Sequence, residues 1–219
     1  MADIQSVVSD VQNACQNYQQ TKAEMQELES NIQMLSSELN SIQSRLSSIA
    51  SEMSSLETQA EMIMDRMSRN AGEEGYDSSS DTYALRSIQS QLQILQSESI
   101  SLENQGLQVS QQLNVTQNAY NQKKDYLGNL RSYLEAVRNQ MNSAADQLQN
   151  KILQLDNAIA TFSGAAGNMF GGSAMAQAGN LQNSRNECQN NLTIAQNVLD
   201  LISSTIDDQG SSYTKVLRR

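Results

Sequence analysis

The residues with the most evident chemistry are the carboxylates of one acidic stretch that also contains glycine, Ser68 to Asp81. Three of its side chains have the spacing of the first three ligands of a calcium-binding loop: Asp77, Ser79 and Asp81. However, Thr82 stands where such a loop needs glycine, and Ile88 stands where it needs a bidentate glutamate. We therefore predict a solvated acidic turn that binds no metal, in which Asp81 caps the following helix.

The rest of the chain offers little for catalysis. It contains no histidine, so general base chemistry near neutral pH lacks its commonest residue. No glycine-rich loop ends in the Lys-Ser/Thr pair that grips a phosphate. Without histidine, Cys15 and Cys188 cannot form a zinc site of the usual kinds, so we predict two free thiols. We predict that the protein is not an enzyme and uses no cofactor or metal.

The charge of the chain also limits its partners. The formal net charge is -10 and the isoelectric point is about 4.4, so phosphate backbones and anionic lipid headgroups are repelled. Nucleic acid is excluded as a partner, and membrane binding is not expected. The start of the chain lacks the basic and apolar segments of a signal peptide, and no stretch is apolar enough to span a bilayer. We expect a location in the cytoplasm, or export without a cleaved signal peptide, and not an integral membrane protein.

The hydrophobic residues of the first third of the chain follow a seven-residue repeat. Positions a and d of the repeat are occupied by Ile4, Val11, Tyr18, Met25, Ile32, Leu39, Leu46, Met53, Ala60 and Met67, and by Val7, Ala14, Thr21, Leu28, Leu35, Ile42, Ile49, Leu56 and Ile63. The chain has no proline to interrupt a helix. A repeat of this length predicts a coiled-coil helix over residues 1–67.

A second repeat follows the acidic turn of residues 68–81 and predicts a coiled-coil helix over residues 82–162. Each helix alone would expose an apolar seam, and the short turn favours antiparallel pairing within the chain. A shorter repeat predicts a third helix in residues 181–219, which also include the C-terminal tail. We therefore predict an all-α fold: a long antiparallel coiled-coil hairpin with a third helix that forms a three-helix bundle at one end. In this bundle Cys15 lies near Val137, and Cys188 lies near Leu155.

Three basic residues fall at seam positions: Lys123, Lys151 and Arg185. A buried charge costs several kcal/mol unless it is paired. Their long side chains can reach solvent, and Lys123 is expected to face the region of Glu27 and Glu29, where an ion pair is available. Alternatively, these core charge layers set the register or leave a socket for another subunit.

The uncharged stretch of residues 163–180 predicts a helix reversal rich in glycine and alanine. It is longer than the two to eight residues or so of most bundle connections, so we expect part of it to contact a neighbour. The candidate interaction residues here are Phe162, Gly164, Met169, Phe170 and Met175. Near the acidic turn, Met62 and Met64 widen the apolar stripe and suggest a second contact.

The Phe162-Ser-Gly164 sequence, followed by Phe170, resembles the turn of the WXG100 family of helical hairpins exported by type VII secretion. The resemblance covers residues 125–216 and implies a leaderless export substrate or a partner in a helical dimer. The chain departs from the family pattern because Phe replaces Trp and because Leu217 stands where an acidic residue would follow Tyr213. The composition is also similar to that of filament-forming coiled-coil proteins of flagella and secretion systems.

The sequence therefore favours a structural protein that works by self-assembly or by docking another helical protein. An exported adaptor similar to WXG100 proteins is the first alternative. A membrane-active tip is the second, because no charged residue occurs between Asp156 and Arg185.

Overall fold

The computed structural model describes residues 4–165 and 171–207 of the chain. This part of the protein consists of three α-helices and contains no strand. Helix α1 is Ile4–Asn70, α2 is Ser79–Ala165 and α3 is Gly171–Ile206. The all-α fold with a helical hairpin and a third helix is therefore confirmed.

The helices extend further than the sequence predicted. Helix α1 continues to Asn70 and α2 begins at Ser79, so the turn is shorter than residues 68–81. The predicted reversal at residues 163–180 is wrong at both ends, because residues 163–165 complete α2 and residues 171–180 begin α3. Alanine has the highest helix propensity, and no proline stops either helix, which explains the extension. Residues 166–170 and the predicted tail from residue 208 lie outside the described residues.

The chain divides into two compact units. The first unit, Met1–Met25 with Gln122–Arg219, is a three-helix bundle in which α3 packs against both α1 and α2. One cluster of its core combines all three helices through Val11, Tyr18, Leu134, Val198 and Ile202. These side chains are almost fully buried, so the first unit has a broader core than two helices can form.

Both cysteines lie in this bundle as free, buried thiols. Cys15 belongs to the same core cluster as Val137. Cys188 belongs to a second cluster, against which Leu155 packs. The predicted surroundings of both residues, and the prediction of two free thiols, are therefore confirmed.

The core positions of α2 change within the first unit. The heptad pattern placed Ala144 and Lys151 in the core, but Ala145 and Ile152 are the buried residues, while Ala144 is half-buried and Lys151 is exposed. Both buried residues are at position e of the repeat. A helix that packs against two neighbours needs a wider apolar stripe than the a and d positions alone, so position e is also buried.

The second unit, Gln26–Asn121, is a two-helix coiled coil of α1 and α2. Its buried apolar side chains are all at position d: Ile42, Ile49, Ile88, Leu95 and Val109. A methyl group added at Gly106 would lie 3.5 Å from Cγ2 of Ile42, so this small residue faces Ile42 across the seam. The unit therefore has a single thin seam, and the opposite sides of both helices face solvent.

Candidate functional site

The turn between α1 and α2 is stabilised by the side chain of Asp77. Its carboxylate accepts hydrogen bonds from the backbone N–H and the hydroxyl of Ser79, at 2.9 and 2.8 Å. These bonds lower the pKa of Asp77, and they satisfy donors at the first turn of α2. Gly75 has a φ of 92°, which other residues adopt only at a cost. Among residues 4–165 and 171–207, no group of three His, Cys, Asp or Glu side chains could hold a metal ion.

Asp81 does not cap α2 as predicted, because it lies inside the first turn of the helix. Its buried carboxylate forms an ion pair with the guanidinium of Arg66 on α1. It also accepts a hydrogen bond from the hydroxyl of Tyr76, at 2.5 Å. The hydrogen bonds from Arg66, and to a smaller extent from Tyr76, lower the pKa of Asp81. The hydrogen bond between Tyr76 and Asp81 also raises the pKa of Tyr76. Asp81 thus connects the end of α1 to the start of α2.

The three predicted core charges have different surroundings. The ammonium of Lys123 lies 2.5 Å from a carboxylate oxygen of Glu24, not near Glu27 or Glu29 as expected. The guanidinium of Arg185 lies 2.6 Å from a carboxylate oxygen of Asp156, and its side chain is half-buried.

Lys151, by contrast, is exposed, so its assignment to the core was wrong. Ile152 occupies the buried place that the heptad pattern gave to Lys151, because α3 covers that side of α2. A specificity role for core charges therefore has no basis at Lys151.

The predicted interaction residues near the α2–α3 connection have mixed exposure. Phe162 is half-buried, Gly164 is exposed within the last turn of α2, and Met175 is exposed on α3. Met169 and Phe170 lie outside the described residues. The role proposed for this connection therefore stays a prediction.

Met62 and Met64, near the other connection, are both exposed in the second unit. They are two residues apart on one helix and so do not face the same direction. They therefore do not form a continuous apolar patch by themselves.

Four exposed apolar side chains of α2 were not identified from the sequence. In the second unit, Ile94, Ile100, Leu107 and Val115 of α2 are 64, 53, 60 and 70% exposed. They occupy positions b and c of the repeat, and Ile94 also lines a groove against Glu52 and Leu56 of α1. We call the b, c and f positions of α2 from Ser87 to Asn118 the outer face of α2. The sequence contains a signal for this surface, namely its lack of charge: the outer face has no charged residue, although the chain has a net charge of -10.

A second apolar surface is a groove between α1 and α3 in the first unit. It has a volume of about 340 Å³ and is lined by Val8 and Gln12 of α1 and by Ile194, Asn197, Val198 and Leu201 of α3. Three-helix bundles have such grooves between neighbouring helices, and a further helix can pack into one.

Four carboxylates in the described part of the chain have pKa values shifted by their neighbours. The pKa values of Glu24, Asp77, Asp81 and Glu98 are all lowered by basic or hydrogen-bonding neighbours. A general acid at neutral pH needs the opposite, a carboxyl group whose pKa is raised by burial or by a like charge. These groups are therefore stable anions that connect helices or cap turns.

No helix within the described part of the chain is long and apolar enough to cross a membrane. The membrane-active tip proposed for the α2–α3 connection stays a prediction, because that connection lies outside the described residues.

Comparison with known proteins gives a match to a protein family. A family model described as "CT398-like coiled coil hairpin domain" matches residues 2–165, which include α1 and α2. The match supports a helical hairpin, and it does not support the WXG100 family or type VII secretion in particular. No curated protein and no solved structure shows a significant match to the chain.

Proposed function

Since the chain belongs to the family of CT398-like coiled coil hairpin domains, we propose that it is a non-catalytic structural protein that works by self-association. Its helices would pack against the helices of further copies. The observation that carries the proposal is the exposure of large apolar side chains on the outer face of α2, whose own seam is already occupied.

This surface favours association with protein over other partners. Ile94, Ile100, Leu107 and Val115 are six to eight residues apart, so they are separate apolar contact points within one stretch of α2. The net charge of -10 disfavours nucleic acid and anionic lipid. Ile100 and Leu107 are seven residues apart, so one further helix that packs along α2 can contact both.

Sedimentation velocity over about 1–100 μM protein tests the proposal, since an interface of standard size gives dissociation constants from micromolar down. We expect the mass to rise above the monomer value of 24.1 kDa as the concentration increases. A mass of one monomer at every concentration would contradict self-association.

A second candidate function is docking of a different helical protein in the groove between α1 and α3. The groove is apolar and open in the first unit, and it is separate from the outer face of α2. A protein that stays monomeric in sedimentation velocity would favour this candidate. Export without a cleaved signal peptide, as in WXG100 proteins, rests on the Phe162–Gly164 sequence alone and is tested by looking for the protein in culture medium.

A further inference from the structure

We propose that the C-terminal segment of residues 208–219 packs into the groove between α1 and α3 of its own chain. This groove and this segment both belong to the first unit. The inference goes beyond the proposed self-association, which uses a surface of the second unit. In this packing, the segment competes with any other helix that enters the groove.

The groove exposes an apolar stripe that the three described helices leave partly uncovered. Val8 of α1 and Ile194 and Leu201 of α3 line it and are half-buried, and Val198, also in its lining, is 4% exposed. Ile194 and Leu201 are seven residues apart, so they lie on one side of α3, about 10 Å apart along its axis. The groove therefore has room along its length for about two turns of a further helix.

The apolar residues of the segment have the spacing that such a groove accepts. They are Tyr213, Val216 and Leu217, three and four residues apart. In a helical turn this spacing places all three side chains on one side, about 6 Å long. An amphipathic helix lays such a side into an apolar groove, so the segment can cover the stripe between Ile194 and Leu201.

Charge complementarity also favours this segment as the occupant. Lys215, Arg218 and Arg219 are three of the 14 basic residues in a chain that has 24 acidic ones. The stretches that form the groove, residues 4–21 of α1 and 186–207 of α3, contain no basic residue. Their acidic residues are Asp10, Glu187, Asp200 and Asp207. A basic segment is therefore attracted to this end of the bundle, whereas a second acidic protein is repelled.

The segment is long enough to reach the groove from the end of α3. Leu201 lies six residues before Asp207, about 9 Å back along the helix. Tyr213 lies six residues after Asp207, and an extended chain of that length spans about 20 Å. Gly210 lies between them and can adopt the backbone conformations that a chain reversal needs. A connection this short gives an effective concentration of about 1 mM or more, which favours packing within the chain over binding from solution.

A single tryptophan at position 213 tests whether the segment is packed. The chain has no Trp, so the Tyr213→Trp variant of the whole chain fluoresces from this one position. We expect emission at a shorter wavelength than in urea, and weaker quenching by acrylamide, because the indole is buried. Both values should be the same at about 1 and about 20 μM protein, since packing within one chain does not depend on concentration.

A charge in the groove tests where the tryptophan lies. Ile194→Lys, added to the Tyr213→Trp variant, removes an apolar contact and places a charge of the same sign beside the basic segment. It should shift the emission towards the value in urea. Gln196→Lys is the matched control, because Gln196 is exposed on α3 and faces nearly the opposite direction. It should leave the emission unchanged, and circular dichroism at 222 nm should show the same helix content for both variants.

Disulfide formation within the chain provides a second measurement that leaves Ile194 in place. Gln12 lines the groove, whereas the exposed neighbour Asn13 does not. Under mild oxidation, Gln12→Cys should link to Thr214→Cys about tenfold faster than Asn13→Cys does, since the packed segment raises the local thiol concentration beside the groove. Cys15 and Cys188 are buried and should not take part.

The outcomes decide between this packing and its alternatives. Buried emission that Ile194→Lys alone reverses, together with the faster Gln12–Thr214 link, supports the inference. Emission equal to that in urea would overturn it, because the segment would then be unpacked. Buried emission that Ile194→Lys does not change, with equal rates for both cysteine pairs, would place the segment elsewhere and also overturn it. Emission that becomes buried only at the higher concentration would assign the groove to the segment of a second copy instead.

Discussion

Three consecutive residues of α2 offer a direct test of which positions form the core of the first unit. Lys151 is exposed, Ile152 is 8% exposed and packs in the cluster with Cys188 and Leu192, and Leu153 is 62% exposed. The heptad pattern alone would have made Lys151 the core residue. Replacing each of the three by alanine and measuring the free energy of unfolding therefore shows which of them is the core residue.

The expected cost of Ile152→Ala follows from its burial. The change removes three carbon atoms at about 0.8 kcal/mol per buried methylene, or about 2.4 kcal/mol in total. The better helix propensity of alanine returns about 0.4 kcal/mol, and any cavity left between α2 and α3 adds to the loss. We expect a decrease of about 2–4 kcal/mol in the free energy of unfolding.

Urea unfolding followed by circular dichroism at 222 nm provides the measurement. With a slope of about 2 kcal/mol per molar urea, Ile152→Ala should lower the midpoint by about 1–2 M. Lys151→Ala and Leu153→Ala should each stay within about 0.5 kcal/mol of the unaltered protein. A loss for Lys151→Ala as large as that for Ile152→Ala would refute the assignment of position e to the core.

Three further predictions concern the turn, a glycine and the thiols. Because the ion pair with Arg66 lowers the pKa of Asp81 below its ordinary 3.8, the carboxylate stabilises the fold above that pH and loses this effect as the pH falls through the lowered value. The difference in urea midpoint between the unaltered protein and Asp81→Asn should therefore shrink below pH 3.8, and a constant difference would contradict the ion pair. Gly128→Ala should stabilise the protein by about 0.5–1 kcal/mol in the same assay, because a methyl group there meets no atom within 4 Å and alanine favours the helix; a loss of stability would show an unrecognised contact. Cys15 and Cys188, at 3 and 7% exposure, should react with a thiol reagent at least about 100-fold more slowly in the native protein than in urea, and equal rates would show that the bundle opens.

The hairpin could be predicted from the sequence because its seam repeats without interruption. Ile42 and Ile49 fall at position d of the first repeat, and both are buried in the second unit. The repeat is long enough that a few positions without a large apolar side chain, such as Gly106, do not obscure it.

The packing of α3 against α2 was harder to recognise, although a signal was present. Ala145, Ile152 and Ile159 are apolar at position e in three successive heptads. A two-helix interpretation needs only positions a and d, so this second stripe was not used, and Lys151 was placed in the core. The ends of the helices were wrongly predicted for a different reason. Glycine marks many turns, but alanine and glycine within a longer helix destabilise it too little to end it.

Asp81 shows the limit of local reasoning. Its position after an acidic stretch matches a helix cap, and the choice between a cap and an ion pair depends on which residue of α1 lies opposite. That residue is Arg66, and the turn that brings it there depends on Gly75 and Asp77 together. The same holds for Lys123, whose partner Glu24 lies about one helical turn from the expected place.

The first unit is assembled from both halves of the chain, and this has a consequence for folding during synthesis. Val11 and Ile202 belong to one core cluster, yet about 190 residues separate them. At about 10 residues per second, a ribosome needs about 20 s to add the second after the first. Until the end of that time the start of α1 lacks the α3 surface that completes the cluster around Val11 and Tyr18, whereas residues 26–121 can already pair. The N-terminal segment is therefore the part of the nascent chain that stays open longest to chaperones and proteases.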